Sequence, residues 1–583
     1  MKRIFSFLSL IITVFATQVS AQQKTVNLKL FQTSDIHGNY FPYNFITNRP
    51  WSGSLSRVSS AVKDARKTFG DNVILLDNGD ILQGQPSAYY YNYENIEVPH
   101  ITSRILNFMK YDAGNVGNHD VETGFNVLNR YASLCNFPIL GANIINTQTN
   151  EPYFEPYTII KKEGVKIAVL GMITPAIPAW LPKSMWAHFC FDDMEITAKQ
   201  WIPKIIEKES PHIIVGLFHS GGKGNILSGF KENASMEVAK NVPGFDIVLM
   251  GHDHILECTK IANVAGDSVL VMDPGANGVV ISDIDIDITF DENGKFMNKS
   301  VSGNLLPMSD FNPDPLFMKE FSADYKNVKE YVGSPIGTIK KSINTHDAFF
   351  GDSEFTDLIH EIQLGITHAD ISFTAPLSFD AQIDSGEIKM SDMFNLYKYE
   401  NLLYVMTLSG IEIKNYLEYT YDLWTRQMTS AEDHLLQFKD DFKDGDDTRS
   451  ILKYPSYNFD SAAGIIYEVD VTKPKGKKIR IISLADGSKF NLDATYKVAL
   501  NSYRGNGGGE ILTKGAGIAH ADLAKRVIFS TDRDLRYYLT RYIKRHGEVI
   551  PHKLNNWKFI PTEIVSPAVI RDKKILFGNE QSH

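Results

Sequence analysis

Five apolar runs between residues 30 and 255 each lead into a residue type that can hold a metal ion. LKLFQTS runs into Asp35-Ile36-His37-Gly38, and NVILLDN into Gly79-Asp80. ITSRILNFMKYDAGNV runs into Gly117-Asn118-His119-Asp120, HIIVGLFHS carries His219, and FDIVLM runs into Gly251-His252-Asp253-His254. An Asp at a strand end, taken singly, is most often a turn or cap residue. The ordered series is different, because it supplies Asp35, His37, Asp80, Asn118, His219, His252 and His254, enough oxygen and nitrogen ligands for two adjacent ions. Mixed N and O ligation without sulfur suits Zn, Mn, Fe or Co better than Ca or Mg. Two such divalent ions, roughly 3.5–4 Å apart, can clamp a phosphate in line and activate a water, so the chemistry expected is hydrolysis at phosphorus. Asp80 is the natural bridge, since one carboxylate can give an oxygen to each ion.

His119 directly follows the ligand Asn118 and should point to the other side of the loop, toward a substrate. A His there can protonate a leaving alkoxide or stabilise charge on the phosphorane. Glu122, three residues on, can hold its second nitrogen and raise its pKa. The alternative for Glu122 is a solvated acid at a helix start. Asn118, His119 and Glu122 are thus the candidate catalytic group.

These residues need a scaffold that brings chain ends together. LSRVSSAVKDARKTF has helical spacing and precedes the strand-like NVILLDN; VKIAVLGMIT, HIIVGLFHS and FDIVLMG follow as short β-branched runs. The pattern is α/β, with buried strands in a layered core and ligands at carboxyl ends that converge on one rim. SVLVMDPGANGVVISDIDIDITF alternates with period two and reads as antiparallel strands closing this domain. The texture changes over residues 308–345, where prolines precede an amphipathic stretch, so a linker with a helix is placed there. The second half opens with GDSEFTDLIHEIQLGITHADISF, a helix then a strand.

A chain of 583 residues is too long for one core. Its hydrophobic content of 43% and charged content of 22% are those of an ordinary globular protein. The net charge of −10 gives no general attraction to nucleic acid or an anionic membrane, so an anionic substrate must be drawn by a local field. Cys135, Cys190 and Cys258 match no metal cluster by spacing and read as small buried residues. Lys2 and Arg3, the apolar Phe5 to Phe15 and Val19-Ser20-Ala21 read as a secretory signal peptide cleaved after residue 21. The expected location is therefore periplasmic or secreted, with no membrane anchor.

With these motifs, the chain resembles the secreted 5′-nucleotidase family of calcineurin-like metallophosphoesterases. The second half is similar to the substrate domain of periplasmic 2′,3′-cyclic-nucleotide 2′-phosphodiesterase/3′-nucleotidases. That similarity lies in FNLYKYENLLYVMTLSGIEIKNYLE, in the blocks from Tyr454 to Asp460 and Gly464 to Asp470, and from Asn501 to Gly509. The resemblance implies an α/β (α+β) protein of two domains: an N-terminal four-layer β-sandwich flanked by helices, and a C-terminal α/β substrate-binding domain. The segments expected are 1–21 signal peptide, 22–307 phosphoesterase domain, 308–345 linker, 346–562 substrate domain and 563–583 tail.

The resemblance assigns Asp35, His37, Asp80 and His254 to one metal, and Asp80, Asn118, His219 and His252 to the other. It makes His119 the transition-state group and Tyr457 and Tyr503 the rings that sandwich a nucleobase, whose stacking tolerates any base. Taken singly, each Tyr would pass for a half-buried strand aromatic. Arg504 and the Gly507–Gly509 run could approach a phosphate or ribose, or the glycines could simply form a turn. Gly-Asn-His-Asp-Val-Glu departs from the family's usual G-N-H-E-F-D, and Thr374–Phe379 lacks the arginine of an N-G-G-x-R segment. The second departure favours the cyclic-phosphodiesterase subgroup. The expectation is hydrolysis of 2′,3′-cyclic nucleotides and 3′-monophosphates for scavenging, by a monomer with two divalent ions (Zn, Mn or Co) and no nucleic acid polymer as partner. The alternatives are a 5′-nucleotidase or nucleotide-sugar hydrolase, and a non-catalytic nucleotide-binding or adhesion protein.

Overall fold

The computed structural model describes residues 23–224, 226–227, 229–443, 448 and 450–578; the expected signal peptide lies outside them. No helix among these residues is long and apolar enough to cross a membrane.

The N-terminal half is built on two six-stranded sheets. The first has, in spatial order, Phe296–Pro307, Val280–Phe290, Lys24–Thr33, Val73–Asp77, Ala113–Asn115 and Ile139–Leu140. The second has Leu256–Ala262, Ser268–Pro274, Ile247–Leu249, Ile213–His219, Val165–Ile173 and Tyr157–Lys162. Side chains alternate across a strand, so each strand feeds two layers. Leu28, Leu30, Ile74 and Leu76 share one buried cluster with Ile167, Val169, Val215 and Leu217, which fills the space between the sheets. Phe31 and Leu75, on the opposite face, pack with Val58, Val62, Ile105 and Leu106 of the helices Leu55–Phe69 and Ile101–Met109. Ala168, Leu170 and Met172 pack with Ala198, Ile202 and Ile205 of helix Met194–Glu209. The result is the expected helix–sheet–sheet–helix stack.

The central strands Val73–Asp77 and Ile213–His219 are buried at every residue, as parallel strands covered on both faces must be. Their carboxyl ends meet the ends of Lys24–Thr33 and Ile247–Leu249, and the ligand loops leave from there. Several expectations change. The cysteines are not buried: Cys135 is half-buried, and Cys190 and Cys258 are exposed. Ser268–Pro274 and Val280–Phe290 do not pair with each other; they run into different sheets, and the first is parallel to Ile247–Leu249. The turn between them, with Gly275 and Gly278 at positive φ, carries the chain across the stack.

The C-terminal half centres on a five-stranded sheet in the order Ser461–Ala463, Ile371–Thr374, Thr495–Asn501, Leu402–Ser409 and Val527–Asp534. Helix Glu354–Thr367, N-capped by Ser353, leads into it. The 308–345 stretch is not a free connection, because Phe317, Phe321, Val328 and Val332 of its helices join the N-terminal helical core. The expected tail is also corrected. Thr562–Phe577 is a helix whose Val565, Ala568 and Leu576 enter the C-terminal core. Its buried Asp572 accepts the N–H groups of Leu435 and Leu436 at 2.7 and 3.0 Å.

The halves meet through packed aromatics. Tyr89, only 1% exposed, belongs to a cluster otherwise made mostly of C-terminal residues such as Phe394, Tyr397 and Leu535. Tyr89 and Tyr93 donate to Asp534 and Glu400 across the boundary, at 3.3 and 3.0 Å.

Candidate dimetal centre and substrate cavity

The strand ends bring the seven sequence-predicted ligands into two groups. Ligand atoms of Asp35, His37 and His254 lie within 4.8 Å of one another, as do those of Asp80, His219 and His252. Asn118 joins the second group: its Oδ1 lies 3.1 Å from His219 Nε2 and 2.7 Å from His252 Nδ1. Asp35, His37, Asp80, His252 and His254 all take left-handed backbone conformations, with φ of 51°, 49°, 54°, 82° and 59°. Each such residue costs on the order of 1–3 kcal/mol and persists only where its surroundings enforce it.

Hydrogen bonds fix how the rings face. His37 Nδ1 donates to the Gln83 carbonyl at 3.0 Å, and His219 Nδ1 to the Asn78 carbonyl at 2.8 Å. Each therefore has only Nε2 left to turn inward as a ligand atom. His37 Nε2 meets His254 Nε2 at 3.1 Å, and His219 Nε2 meets Asp80 Oδ2 at 3.1 Å. That carboxylate oxygen is buried and accepts no hydrogen bond. Lone pairs crowded against lone pairs repel unless a cation lies among them, so this donor set fits two divalent ions. The charge balance agrees. Burial pushes the His37 ring down to about 4, the neutral form a ligand needs. Burial opposes charge on His219, but Asp80 and Asp35 outweigh it and raise the ring to about 10. Burial likewise opposes ionisation of Asp35, yet the His219 and His254 rings hold it at about 2. In the chain alone a proton sits where a dication would displace it.

On helix Asn118–Glu122, His119 sets its ring edge-on to the His37 ring, with centroids 5.4 Å apart. Its backbone N–H donates to Asp80 Oδ1 at 2.7 Å, while its ring Nδ1 lies 2.5 Å from Glu122 Oε2. The sequence left Glu122 open between partner and solvated acid, and the structure makes it a buried partner. Burial opposes a charged His119 ring, and the Asp80 and Glu122 carboxylates raise it to about 9.

Next to the cluster lies a cavity of about 250 Å³ whose walls come from both halves. Asn118, His119, Glu122, Trp180, Glu232 and His252 form one side; Leu377, Tyr399, Asn401, Tyr457, Asn501 and Tyr503 form the other. No Lys or Arg is among its described lining residues.

The comparisons fall on the same two halves. Residues 28–256 match the calcineurin-like phosphoesterase family, and residues 335–514 match the 5′-nucleotidase C-terminal domain. The chain is a calcineurin-like phosphoesterase joined to a 5′-nucleotidase C-terminal domain. It is a metal-dependent phosphoric ester hydrolase. It is 26% identical to a 2′,3′-cyclic-nucleotide 2′-phosphodiesterase/3′-nucleotidase of Yersinia enterocolitica, over 97% of this chain and 93% of that one. A protein of the same name from Salmonella typhimurium is 26% identical over 95% of this chain and 91% of that one. The solved 5′-nucleotidase precursor of Thermus thermophilus shares the fold, with a TM-score of 0.61 and 20% identity over 92% of this chain and 99% of that one.

Within the phosphoesterase, two features of the cavity differ from the sequence reading. Tyr457 and Tyr503 do face each other, but their ring centroids are 6.4 Å apart at 86°. They form a corner, not a parallel slot. Arg504 is not a substrate ligand. It is 2% exposed, and its five N–H donors are taken by Asp460, Asn458 and the carbonyls of Tyr457 and Gly508. Its partner Asp460 lies 44 positions away in sequence, so nothing local signalled the pair. Arg504 instead ties the Tyr457 loop to the Tyr503 helix and lies 5.6 Å from the Tyr503 ring. Gly508 backs that ring: a Cβ there would sit 2.5 Å from it.

The sequence reading also passed over Asp120, Trp180, Glu232, Tyr399, Asn401 and Asn501. Of these, Asp120 had a signal, since it ends the Gly-Asn-His-Asp motif. Its carboxylate accepts the N–H groups of Gly117, Asp80, Ile81 and Leu82 at 2.8–3.0 Å and so builds both ligand loops. Asp120→Ala should strand those buried donors, each costing about 1–3 kcal/mol. The expected result is a lower Tm and fewer bound ions, read by calorimetry and elemental analysis. Unchanged ion content would show that the loops hold without it.

Proposed function

We propose that this chain is an exported hydrolase of 2′,3′-cyclic nucleotides and nucleoside 3′-monophosphates. The observation that carries the reading is the single cavity that runs from the metal ligands of one half to the aromatic corner of the other. Two nearly full-length relatives bear that activity in their names, and no Lys or Arg that would grip a phosphate away from the ions is among the cavity's described lining residues.

Asp35, His37, Asp80 and His254 would hold one ion and Asp80, Asn118, His219 and His252 the other. When bound, these ions supply positive charge that holds the phosphate and lowers the pKa of a water. The remaining work belongs to the chain. His119, braced by Glu122, holds a proton at the cavity wall and delivers it to the departing ribose oxygen. Tyr503, fixed between Gly508 and Arg504, offers a face for the base, and Tyr457 closes the corner beside it. Leu377 and Trp180 help exclude water.

The direct test is phosphate release from 3′-AMP, 2′,3′-cyclic AMP and 5′-AMP in parallel, with and without chelator. Turnover of the first two that chelator abolishes is expected; preference for 5′-AMP would replace this reading with a 5′-nucleotidase. The role of the corner has its own check. Tyr457→Ala or Tyr503→Ala should raise KM for nucleotides roughly 5- to 150-fold, the loss of about 1–3 kcal/mol of stacking. Neither should matter for bis-nitrophenyl phosphate, which has no base. Equal weakening of both substrates would make these tyrosines packing residues only.

A further inference from the structure

Metal-ligating imidazoles depend on what their outer nitrogen touches, because that contact fixes the ring's tautomer and orientation. The four His ligands here differ in this respect. The outer nitrogens of His37 and His219 meet backbone carbonyls, those of Gln83 and Asn78. The outer Nε2 of His252 meets a carboxylate oxygen, Glu232 Oε1, at 3.3 Å. His254 uses Nε2 inward, toward His37 and Asp35, and its Nδ1 has no hydrogen-bond partner among the described residues. Its side chain is 45% exposed, against 0% for His219 and 11% for His252.

The two candidate sites are therefore built unequally. At the Asp80–Asn118–His219–His252 site, both imidazoles are braced from behind. The inward Nδ1 of His252 lies against Asn118 Oδ1, and its outer side rests on Glu232. Trp180 packs over the same ring at a centroid distance of 5.5 Å, which limits its rotation. Glu232 comes from beyond the short hairpin strand Phe230–Lys231 and is held through its backbone carbonyl, which accepts from Ser220 Oγ at 3.0 Å. Ser220 directly follows the ligand His219, so the Glu232 backbone is tied to the end of the strand that carries that ligand. At the Asp35–His37–His254 site, the His254 ring is 45% exposed and packs against the other ligand ring, His37, at 5.1 Å, with no partner behind its Nδ1 among the described residues.

We propose that Glu232 is a positioning residue that aims His252 Nδ1 inward, and that it makes the Asp80–Asn118–His219–His252 site the tighter of two unequal metal sites. The Asp35–His37–His254 site is then the one that exchanges its ion with solvent. This rests on the dimetal reading of the cluster. A carboxylate behind a ligating imidazole raises metal affinity about 10- to 100-fold, which sets the size of the expected gap.

The test uses the full mature chain loaded with zinc, dialysed against a graded series of chelator strengths, with bound zinc read by elemental analysis. The wild-type chain should lose its ions in two steps separated by about 10- to 100-fold in free zinc. Glu232→Ala should bring the second step down by about that factor, so that the steps merge. Glu232→Gln keeps an oxygen that can accept from the ring and should restore part of the gap. Because the Glu232 side chain is 26% exposed, neither change opens a core. His254→Ala should remove the early step and leave the late one. The proposal is overturned if both wild-type ions leave together, if Glu232→Ala leaves both steps in place, or if His254→Ala abolishes the late step. Fewer than two ions in the loaded wild-type chain would overturn the dimetal reading itself, and this proposal with it.

Discussion

Asp80→Asn should lower occupancy of both metal sites and nearly abolish turnover. The carboxylate is buried between the two ligand groups, with Oδ1 holding the His119 N–H at 2.7 Å and Oδ2 against His219 without a hydrogen bond. Replacing it with an amide removes a negative charge and can turn N–H donors toward the place where the ions sit. The neighbouring rings hold this carboxyl far below the usual range against the pull of burial, which measures how strongly the site wants a negative charge there. Bound-metal content and the rate on bis-nitrophenyl phosphate are the two readouts. Two ions and full activity in Asp80→Asn would remove Asp80 from the bridging position.

His119→Ala is expected to separate the two readouts. Its ring hydrogen-bonds to Glu122, lines the cavity and packs edge-on 5.4 Å from the His37 ring, while its backbone N–H holds Asp80. Metal content should therefore stay intact while kcat falls about 10²- to 10⁴-fold, the usual worth of a positioned proton donor. The loss should be smaller for bis-nitrophenyl phosphate than for a nucleotide, since nitrophenolate leaves without needing a proton. Loss of metal along with activity would make His119 a ligand and collapse the division between Asn118 and His119.

The residues that the fold gathers into two candidate ligand groups were legible in the sequence because strand ends announce themselves: an apolar run stops and a polar residue follows. His119 was legible by the same route, one residue past Asn118. The α/β layering followed from the alternation of helical and strand-like runs, and the four-layer stack from the family resemblance. What escaped was whatever depends on distant partners. Arg504 looked free beside a glycine run, and only the fold delivers Asp460 to it. Glu232 lies between strand ends in sequence, on a segment with no periodic signal, and reaches His252 only because the loop returns over the rim. The final helix was hidden by Pro567 and a charged stretch, although Val565, Ala568, Asp572 and Leu576 face inward along it. Tyr457 and Tyr503 were pointed to by the family resemblance, which did not give their perpendicular setting.

The left-handed backbone at five of the ligands bears on how this centre could be redesigned for another metal. Asp, Asn and His are the non-glycine residues that tolerate positive φ best, and the five positions carry only Asp and His. A softer ion would call for thiolates, and a larger, harder one for the longer reach of Glu. Either change at residue 35, 37, 80, 252 or 254 would place a side chain less suited to that conformation on a backbone already strained. Such a swap would be charged twice, once in coordination and once in the chain. Asn118 and His219 lie outside this group, in ordinary helix and strand conformations, and are the two places where a new ligand could be written without disturbing the loops.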